Sequence, residues 1–383
     1  MFLFDALLLL LLVYYLCLML YYRHYWLKTK QYVLPTSTKY NYAVSVIIAA
    51  RNESNNIASC LESALYQSYP RDLYEVIVVD DHSEDATASI VAAFVNRFSN
   101  VHLLHLKDYI KDRKIITFKK EALAYGISKA AGRLIITTDA DCVVGHNWLA
   151  TLVTFYLEKN AKAVAGPVMY HQEKNVFERC QSLDMLGMMG VTGSSITSKL
   201  CFMGNGANLA FSKEIFYEIG AYTSSEEFAS GDDMLLLDKI AVDYAEDIHF
   251  LKSVEATVKT KASKTISKFI QQRLRWATKN TSLRSIKIPL ILGGIYLFNL
   301  ILVLYFFKDL LLERSVSIFF LMIWIVKMCI DFVYLLTLSR YFNRTKLLRI
   351  FIQAQLFHVF YIVIIGTLAQ FKKQYVWKQR TAR

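Results

Sequence analysis

The sequence predicts an α/β fold class, a mostly parallel sheet flanked by helices, with transmembrane helices at both ends of the chain. Two observations predict it. Within residues 40–260, short apolar runs rich in β-branched residues alternate with helical patterns over short links, which is typical of a parallel sheet. On either side of this stretch lie apolar segments long enough for a helix to cross a bilayer.

The first apolar segment covers residues 2–22 and ends among Tyr and Trp side chains, which favours a membrane anchor over 1–25. A cleaved signal peptide is the alternative, but the run is too long for one and no small-residue cleavage site follows it. A basic tail is expected over 372–383. Three more apolar stretches lie in the predicted membrane region 286–371, near residues 288–307, 315–338 and 347–370.

The positions of Lys and Arg predict the orientation of the chain. The run YYRHYWLKTK follows the first segment, so the globular stretch is expected in the cytoplasm. The basic stretches 339–349 and 371–383 should also be cytoplasmic, yet three full crossings after the globular stretch would place the last one outside. Because Gln353, Gln355 and His358 lie near the start of the last segment, we expect it to be re-entrant or partly interfacial. A multi-pass protein of the cell (inner or plasma) membrane is predicted.

The formal net charge of +12 does not indicate nucleic-acid binding, because the basic residues concentrate beside the membrane segments and the aromatic residues lie in apolar runs. Attraction to anionic headgroups explains this charge more simply, so membrane lipids are an expected partner and nucleic acid is not. The six cysteines have no paired spacing for zinc, and we expect reduced, unreactive thiols.

The globular stretch alternates strands with helices. The predicted elements, in chain order, are the strand 43–50, a helix over 55–65, the strand 76–79, a helix opening at 83–85, a helix over 119–131 and the strand 133–138.

Polar residues follow the three predicted strands, at 51–54, 80–81 and 139–141. Because ligands bind at the carboxyl ends of parallel strands, we expect these residues to line one crevice. There is no G-x-G-x-x-G or G-K-[ST] loop, so neither a Rossmann dinucleotide site nor a P-loop is predicted.

Asp139 and Asp141 have nothing basic beside them in the sequence. Residues i and i+2 of an extended segment point to the same side, so both carboxylates can face one point. Two like charges cost free energy unless a cation or a proton neutralises them, and a hard ion is often held by one or two carboxylates together with substrate phosphates. The pair therefore predicts Mg²⁺ or Mn²⁺ with a nucleotide diphosphate, and a solvated turn is the alternative.

Seven blocks stand in order along residues 43–276. They are Ala-Arg-Asn-Glu at 50–53, VVDDHSEDAT, Lys119 with Ala122-Leu123 and Gly126, TTDADC, NGANLAF, SGDD and QRLRW. In this order they resemble the blocks of family 2 glycosyltransferases of the GT-A fold. The resemblance implies a GT-A nucleotide-diphospho-sugar transferase domain over 40–260, with a UDP-sugar as the family-level donor. Where that family often has Ala-Leu-Asn, this chain has Ala124, so a polar role of that Asn is absent.

Carried over residue by residue, the resemblance implies a donor site at the strand ends. Asp81, with Asp80 beside it, would read the base or the ribose, and Lys119 would face the diphosphate. Asp139 and Asp141 would approach the ribose and the metal, with Asp141 preferred as the direct ligand. A helix cap for Asp81 and a solvated surface position for Lys119 are the alternatives. The other residues that the resemblance assigns to the site are Ala50, Arg51, Glu53, Gln272, Arg275 and Trp276.

The block SGDD enters a helical run at Met234. The resemblance places the general base, which takes the proton of the acceptor hydroxyl, on Asp233, with Asp232 as a neighbour that positions it. A simple helix cap is the alternative. One base and one metal suffice for a single displacement with inversion, and no second carboxylate is identified as a nucleophile. Just before this block, the loop 202–208 holds two glycines and two amides that we expect to contact a sugar, an ordinary turn being the alternative.

Residues 266–280 predict an amphipathic helix in the membrane interface, within a segment over 261–285, because apolar residues alternate with Lys and Arg, Arg273 among them. Residues 272–276 resemble the Q-x-x-R-W block of the family, which borders the acceptor site and the diphosphate. The resemblance implies a fixed charge from Arg275 and an aromatic face from Trp276.

The sequence thus predicts a membrane-bound, inverting, metal-dependent hexosyltransferase. Its catalytic domain is expected in the cytoplasm, and its acceptor is expected to be lipid-linked or a growing polysaccharide. The last block resembles processive synthases of the cellulose, chitin and hyaluronan type, and processivity is left open. A catalytically silent scaffold of a polysaccharide synthesis or export complex would be expected to lose these acids, and all are present. A transporter is disfavoured because Asp5, Lys308, Asp309 and Lys327 are few and mostly near span ends.

Overall fold

The structure is a computed structural model that describes residues 2–36, 39–111, 118–221, 232–279, 286–371, 375–377 and 380–382. Ser230 and Gly231 of the SGDD block lie outside the described residues, as does the side chain of Asp232. The chain divides into two compact units. An α/β unit contains Lys30–His171, Phe202–Lys261 and Gln374–Arg383, and a helical unit contains Met1–Thr29, Gln172–Cys201 and Ala262–Lys373.

The α/β unit is built on a seven-stranded sheet. The first nine strands of the unit, of which all but β6 and β9 belong to this sheet, are β1 (Val44–Ala50), β2 (Tyr74–Asp80), β3 (Val101–His105), β4 (Leu134–Asp139), β5 (Ala163–Ala165), β6 (Val168–Tyr170), β7 (Leu209–Ser212), β8 (Ile248–Phe250) and β9 (Val258–Thr260). The sheet order is β3-β2-β1-β4-β7-β5-β8, and β7 runs antiparallel to both of its neighbours. The predicted mostly parallel sheet is confirmed. Strands β6 and β9 form a small parallel pair, and β10 (Tyr375–Trp377) and β11 (Arg380–Ala382) form an antiparallel pair.

The helices of both units, in chain order, are α1 (Phe2–Lys28), α2 (Ile57–Leu65), α3 (Thr87–Val95), α4 (Leu106–Ile110), α5 (Phe118–Lys129), α6 (Trp148–Glu158), α7 (Val176–Thr197), α8 (Lys213–Glu218), α9 (Asp232–Tyr244), α10 (Ile266–Lys279), α11 (Lys287–Lys308), α12 (Ile318–Tyr341) and α13 (Phe351–Phe371). Helix α7 belongs to the helical unit, although its residues fall within the stretch 40–260.

Strand register aligns the polar strand ends. Ala50 of β1 pairs with Asp80 of β2, and Ala49 pairs with Asp139 of β4. The apolar residues of β1 are buried because the strand has a neighbour on each side and helices cover such sheets on both faces. The three polar segments therefore lie at one edge of the sheet, as predicted.

Helix α3 begins at Thr87, four residues later than the predicted opening at Ser83. The intervening residues bind the loop after β1 instead: Ser83 Oγ accepts from Asn52 N at 3.1 Å, and Asp85 accepts from Ser54 N at 3.0 Å. Asp85 also accepts from Thr87 N at 3.0 Å, so it binds the backbone N–H of the first helical residue from the position before the N-cap residue Ala86. Burial alone would raise the pKa of Asp85. The hydrogen bonds from Thr87 and Ser54 outweigh burial and hold this pKa well below its usual range.

Four helices in the described part of the chain are long and apolar enough to cross a membrane: Phe4–Lys28, Lys287–Glu313, Ile318–Tyr341 and Thr345–Phe371. They coincide with the four apolar segments of the sequence. The last of them, the predicted re-entrant segment, begins as a 3₁₀ turn at Thr345–Ile350 and continues without a break as α13.

The ionisable residues of the spans were expected to be few and mostly near span ends, and Lys327 of α12 is an exception. Lys327 lies in the middle of this helix and is completely buried. Its Nζ donates to Asp331 Oδ2 at 2.7 Å and to Gln355 Oε1 at 2.9 Å, while the hydroxyl of Tyr15 donates to Asp331 Oδ1 at 2.6 Å. We call these four residues the Lys327 network. The carboxylate of Asp331 and the amide of Gln355 bind the ammonium of Lys327, which offsets the free-energy cost of burying this charge.

Side-chain hydrogen bonds join α13 to α12 and to α11. Near the start of α13, Gln355 belongs to the Lys327 network. Further along, Thr367 shares a hydrogen bond of 3.0 Å with Tyr296 of α11. On α11, the ring of Phe298 lies 4.9 Å from that of Tyr15. Partial or re-entrant insertion of this segment stays a prediction.

Candidate active site

The ends of β1 and β2 are joined by Arg51, which is buried. Its Nη1 donates to the carbonyls of Asp81 at 3.0 Å and of His82 at 2.9 Å, and its Nη2 contacts Glu84 Oε1 at 3.3 Å. The carbonyl of Ala50 accepts from Asp81 N at 2.8 Å. Arg51 and Ala50 thus lie at the predicted edge of the sheet, and these contacts hold the loops together there.

The acids at this edge have defined partners. Asp81 is buried, and its Oδ1 lies 3.1 Å from Nδ1 of His82. Asp80 accepts from Ser83 N at 3.4 Å and lies 3.5 Å from Nδ1 of His105. A buried acid beside an imidazole is suited to binding the donor groups of a base or a ribose, the role predicted for this pair.

Glu53 lies on the loop after β1. Its backbone N donates to Thr87 Oγ1 at 2.8 Å, and its Oε2 accepts from Asn56 Nδ2 at 2.8 Å. Asn56 Oδ1 in turn accepts from Lys261 Nζ at 3.3 Å. Sequence reasoning missed Lys261, because a single Lys after a short strand carries no motif.

Lys119 at the start of α5 donates to Asp139 Oδ1 at 2.7 Å. The two side chains are 24% and 36% exposed, so the ion pair remains open to solvent. The inference that nothing basic neutralises the aspartate pair is therefore wrong in the fold, since the sheet brings a Lys from the preceding helix to it. An ammonium beside the aspartate pair could also supply positive charge to a phosphate bound there.

Asp139, Asp141 and Cys142 offer ligand atoms that all lie within 4.8 Å of one another. Burial, with the charges of Asp141 and Asp139, raises the pKa of the Cys142 thiol well above its ordinary value. Thiolate is a soft ligand, whereas Mg²⁺ and Mn²⁺ are hard ions that prefer oxygen, which leaves the carboxylate oxygens as the fitting donors. Two hard oxygens at an edge that a substrate can reach fit Mg²⁺ or Mn²⁺, which take their remaining ligands from phosphate and water.

Asp233 is connected to β4 through one glycine. Its Oδ2 accepts from Gly206 N at 2.9 Å, and the carbonyl of Gly206 accepts from Thr137 Oγ1 at 2.7 Å. Asp233 Oδ1 accepts from Met234 N at 2.9 Å. Because Thr137 precedes Asp139 by two residues on the same strand, this chain of contacts brings the predicted base to the edge that holds the aspartate pair.

The expectation that Asn208 contacts a sugar is wrong. Asn208 is completely buried; its Nδ2 donates to the carbonyls of Pro167 at 2.9 Å and Ala256 at 2.8 Å, and its Oδ1 accepts from Trp148 Nε1 at 3.0 Å. These contacts use its amide for packing the loop onto the sheet. Asn205 Oδ1 likewise accepts from Ala207 N at 3.0 Å and shapes the turn.

The predicted Q-x-x-R-W residues lie on α10 of the helical unit. Gln272 Oε1 accepts from Ser263 Oγ at 3.3 Å, and Arg275 and Trp276 are both half-buried. Arg273 was predicted to be one of the basic residues on the polar face of an interfacial helix, but its side chain is only 4% exposed. Part of the predicted polar face of this helix is therefore a packing face.

The sheet topology, the aspartate pair and the helix-borne acid define a glycosyltransferase of the GT-A fold. Two protein-family models match the chain: "Glycosyl transferase family 2" over residues 45–220 and "Glycosyl transferase family group 2" over residues 134–369. The chain belongs to glycosyltransferase family 2, as the resemblance in sequence implied.

Curated relatives match the chain in part. It is 33% identical over 127 residues to "Glycosyltransferase AglE" of Haloferax volcanii, which covers 33% of this chain and 40% of that protein. It is 24% identical over 244 residues to "Poly-beta-1,6-N-acetyl-D-glucosamine synthase" of Staphylococcus epidermidis, which covers 61% of this chain and 53% of that protein. The matched regions thus span about half or less of these relatives.

Among solved structures, the mannosyltransferase PcManGT from Pyrobaculum calidifontis, in complex with GDP-Man and Mn²⁺, matches with a TM-score of 0.58 at 19% identity. The match covers 97% of this chain and 99% of that one. At this identity the likeness shows the fold, including the helices outside the sheet.

Proposed function

We propose that the chain is a membrane-bound, inverting glycosyltransferase that takes a sugar from a nucleotide-sugar donor at the strand-end edge of the α/β unit. The observation that carries the proposal is the placement of two kinds of carboxylate at one edge: Asp139 and Asp141 with ligand atoms within 4.8 Å, and Asp233 linked to the same strand through Gly206. Metal binding and base catalysis need separate acids, and this edge provides both.

In this proposal Asp139 and Asp141 would hold a divalent ion, which would supply positive charge beside the diphosphate leaving group. Lys119, now on Asp139, adds a second positive charge beside the phosphates. Asp80 and Asp81 bind the nucleoside, and Arg51, Ala50 and Glu53 shape that end of the site.

Asp233 acts as the general base. Two backbone N–H groups orient its carboxylate, which takes the proton of the hydroxyl that attacks the anomeric carbon. One displacement inverts the anomeric configuration. Asp232 precedes this base at the first residue of α9.

The acceptor is proposed to be lipid-linked or a growing polysaccharide, with Gln272, Arg275 and Trp276 near it. The four long apolar helices support membrane attachment, and the basic residues next to them support a cytoplasmic α/β unit. The segments proposed are an anchor over 1–25, a domain over 40–260, an interfacial helix within 261–285, membrane segments over 286–371 and a tail over 372–383. UDP-sugars remain the first donors to test, with GDP-mannose next because the PcManGT structure contains it.

The test is release of nucleotide from UDP-, GDP- and dTDP-sugars by the full chain in detergent, with and without Mg²⁺ or Mn²⁺. We expect metal-dependent release from one donor. Asp141→Ala should lower it at least 10²-fold, because the ion loses a ligand. Asp108→Ala, an exposed acid on α4 of the same unit, is the matched control and should keep full activity.

Release from no donor, together with no donor binding in the presence of metal, would contradict the proposal and favour the scaffold alternative.

A further inference from the structure

A buried ionic cluster joins helices α7, α10 and α13, and the proposed chemistry does not use it. Arg273 Nη2 lies 2.6 Å from Asp184 Oδ2, and the two side chains are 4% and 6% exposed. The other carboxylate oxygen accepts from the hydroxyl of Tyr361 at 2.6 Å and contacts Nδ1 of His358 at 3.0 Å. Asp184 therefore has a partner from α10 and two from α13.

The guanidinium of Arg273 is enclosed by aromatic rings. Its Cζ lies 4.4 Å from the ring centroid of Trp276, 5.0 Å from that of Phe269 and 5.5 Å from that of Tyr361. Nη1 contacts Met188 Sδ at 3.1 Å. A planar cation is attracted to ring faces, and the attraction grows when both are removed from water. Enclosure on this many sides gives Arg273 one orientation.

The spacing of residues along α10 explains why Trp276 meets this cluster. Phe269, Arg273 and Trp276 stand at positions i, i+4 and i+7 and therefore share one face of the helix. Phe269 packs with Tyr361 and Ile365 of α13 in a buried apolar cluster, which fixes that face. Trp276 is at the edge of the face and is half-buried. One face of its indole is thus covered by Arg273.

We infer that Arg273, held by Asp184, is a positioning residue that fixes the ring of Trp276 and so determines which face of the indole is left for a sugar. The consequence for the acceptor rests on the proposed function, since contact between Trp276 and the acceptor is itself a proposal. Arg273 occupies a variable position of the Q-x-x-R-W pattern, so the pattern does not reveal it.

The position of the indole can be followed by ¹⁹F NMR of the full chain labelled with 5-fluorotryptophan in detergent. The chain has five Trp residues, and Trp276→Phe identifies the resonance of Trp276. Arg273→Met and Asp184→Asn should each move that resonance by several linewidths, because the cation on the ring face is lost or released. The double variant Lys327→Met/Asp331→Leu removes a different buried ion pair without leaving an unpaired charge and should leave the resonance in place.

Loss of one partner leaves a buried charge, so Arg273→Met alone can prevent folding. Two further variants avoid this. Arg273→Lys keeps the positive charge but lacks the planar group, and the double variant Asp184→Asn/Arg273→Met removes the charge of both partners. We expect both to fold and both to move the Trp276 resonance. An unchanged resonance in both folded variants would overturn the inference.

Donor turnover separates this inference from the proposed function. In Arg273→Lys, release of nucleotide to water should stay within about twofold of the unmodified chain, because the donor site is in the α/β unit. If the unmodified chain releases nucleotide from no donor, the proposed function is contradicted. The Trp276 resonance still tests whether Arg273 positions Trp276 in that case. A large loss of release to water in folded Arg273→Lys would contradict a role confined to Trp276.

Discussion

The two units hold their ionisable residues in opposite ways. In the α/β unit, Asp139 and Lys119 pair in partial exposure, with Asp141 close enough to share a cation. In the helical unit, Asp331 is buried against Lys327, and Asp184 is buried against Arg273 with His358 also in contact. An accessible excess of carboxylate is suited to binding a cation, whereas a buried acid with its basic partner is suited to holding helices in register. Substitutions should therefore affect activity in the first unit and stability in the second.

The largest effect on activity is expected from a substitution of Asp233, the proposed general base. Asp233→Asn keeps the size and part of the hydrogen bonding but cannot accept a proton, so turnover of the donor that is identified should fall by about 10³-fold. The donor KM should change by less than about threefold, because the proposed function gives Asp233 no contact with the nucleotide. Steady-state kinetics measures both. Asp243→Asn, exposed near the end of the same helix, is the control. Equal losses in the two variants would show a general effect on α9.

The next effect tests the helical unit. Lys327→Met leaves the buried carboxylate of Asp331 without its ammonium and should destabilise the protein by about 3–5 kcal/mol. The double variant Lys327→Met/Asp331→Leu should recover most of that loss. Thermal unfolding in detergent measures both. If the double variant is as unstable as the single one, the network has a role beyond charge compensation.

A smaller effect concerns acid stability. Burial alone raises the pKa of Asp184, but the charge of Arg273 and hydrogen bonds from His358 and Tyr361 lower it to about 2. The ordinary value is 3.8, so ionised Asp184 contributes about 2 kcal/mol above that pH, and the contribution is lost as the pH falls toward 2. The difference in melting temperature between the unmodified chain and Asp184→Asn should be nearly constant from pH 6 to about pH 4 and should shrink as the pH falls from about 4 toward 2. A difference that does not shrink below about pH 4 would contradict the assignment.

The smallest effect distinguishes two adjacent threonines of β4. Thr137 Oγ1 donates to the carbonyl of Gly206, whereas Thr138 Oγ1 is buried without a hydrogen-bond partner among the described residues. Thr137→Val should lower kcat about tenfold with little change in donor KM, because Gly206 positions Asp233. Thr138→Val should leave both constants unchanged. Similar kinetics in the two variants would remove the proposed link from β4 to the base.

The sheet could be predicted from the sequence because β1, β2 and β4 are unbroken apolar runs, each followed by charged residues. The start of α3 could not, since it depends on hydrogen bonds between two loops about thirty residues apart. The four long apolar helices were predicted at the correct positions, because an apolar run of this length is typical of a membrane-spanning helix.

The site was predicted less completely than the fold. The strand ends and their acids are where the pattern put them, but Lys119 on Asp139 and Gly206 on Asp233 are contacts between distant segments, which only the fold reveals. Asn208 and Arg273 show the opposite error. Each is a polar residue in a functional block, and each is buried, because periodicity and motif do not say which polar groups find partners inside.

The proposed function requires that Asp139 and Asp141, at the end of β4, couple metal binding to nucleotide binding. The most direct measurement is calorimetric titration of the full chain with UDP and with GDP, with and without Mn²⁺, in the unmodified chain and in Asp141→Ala. We expect one nucleotide to bind at least tenfold more tightly with Mn²⁺ than without it, and we expect Asp141→Ala to abolish that difference. Binding that is equally tight without metal, or that Mn²⁺ still strengthens in Asp141→Ala, would contradict the claim.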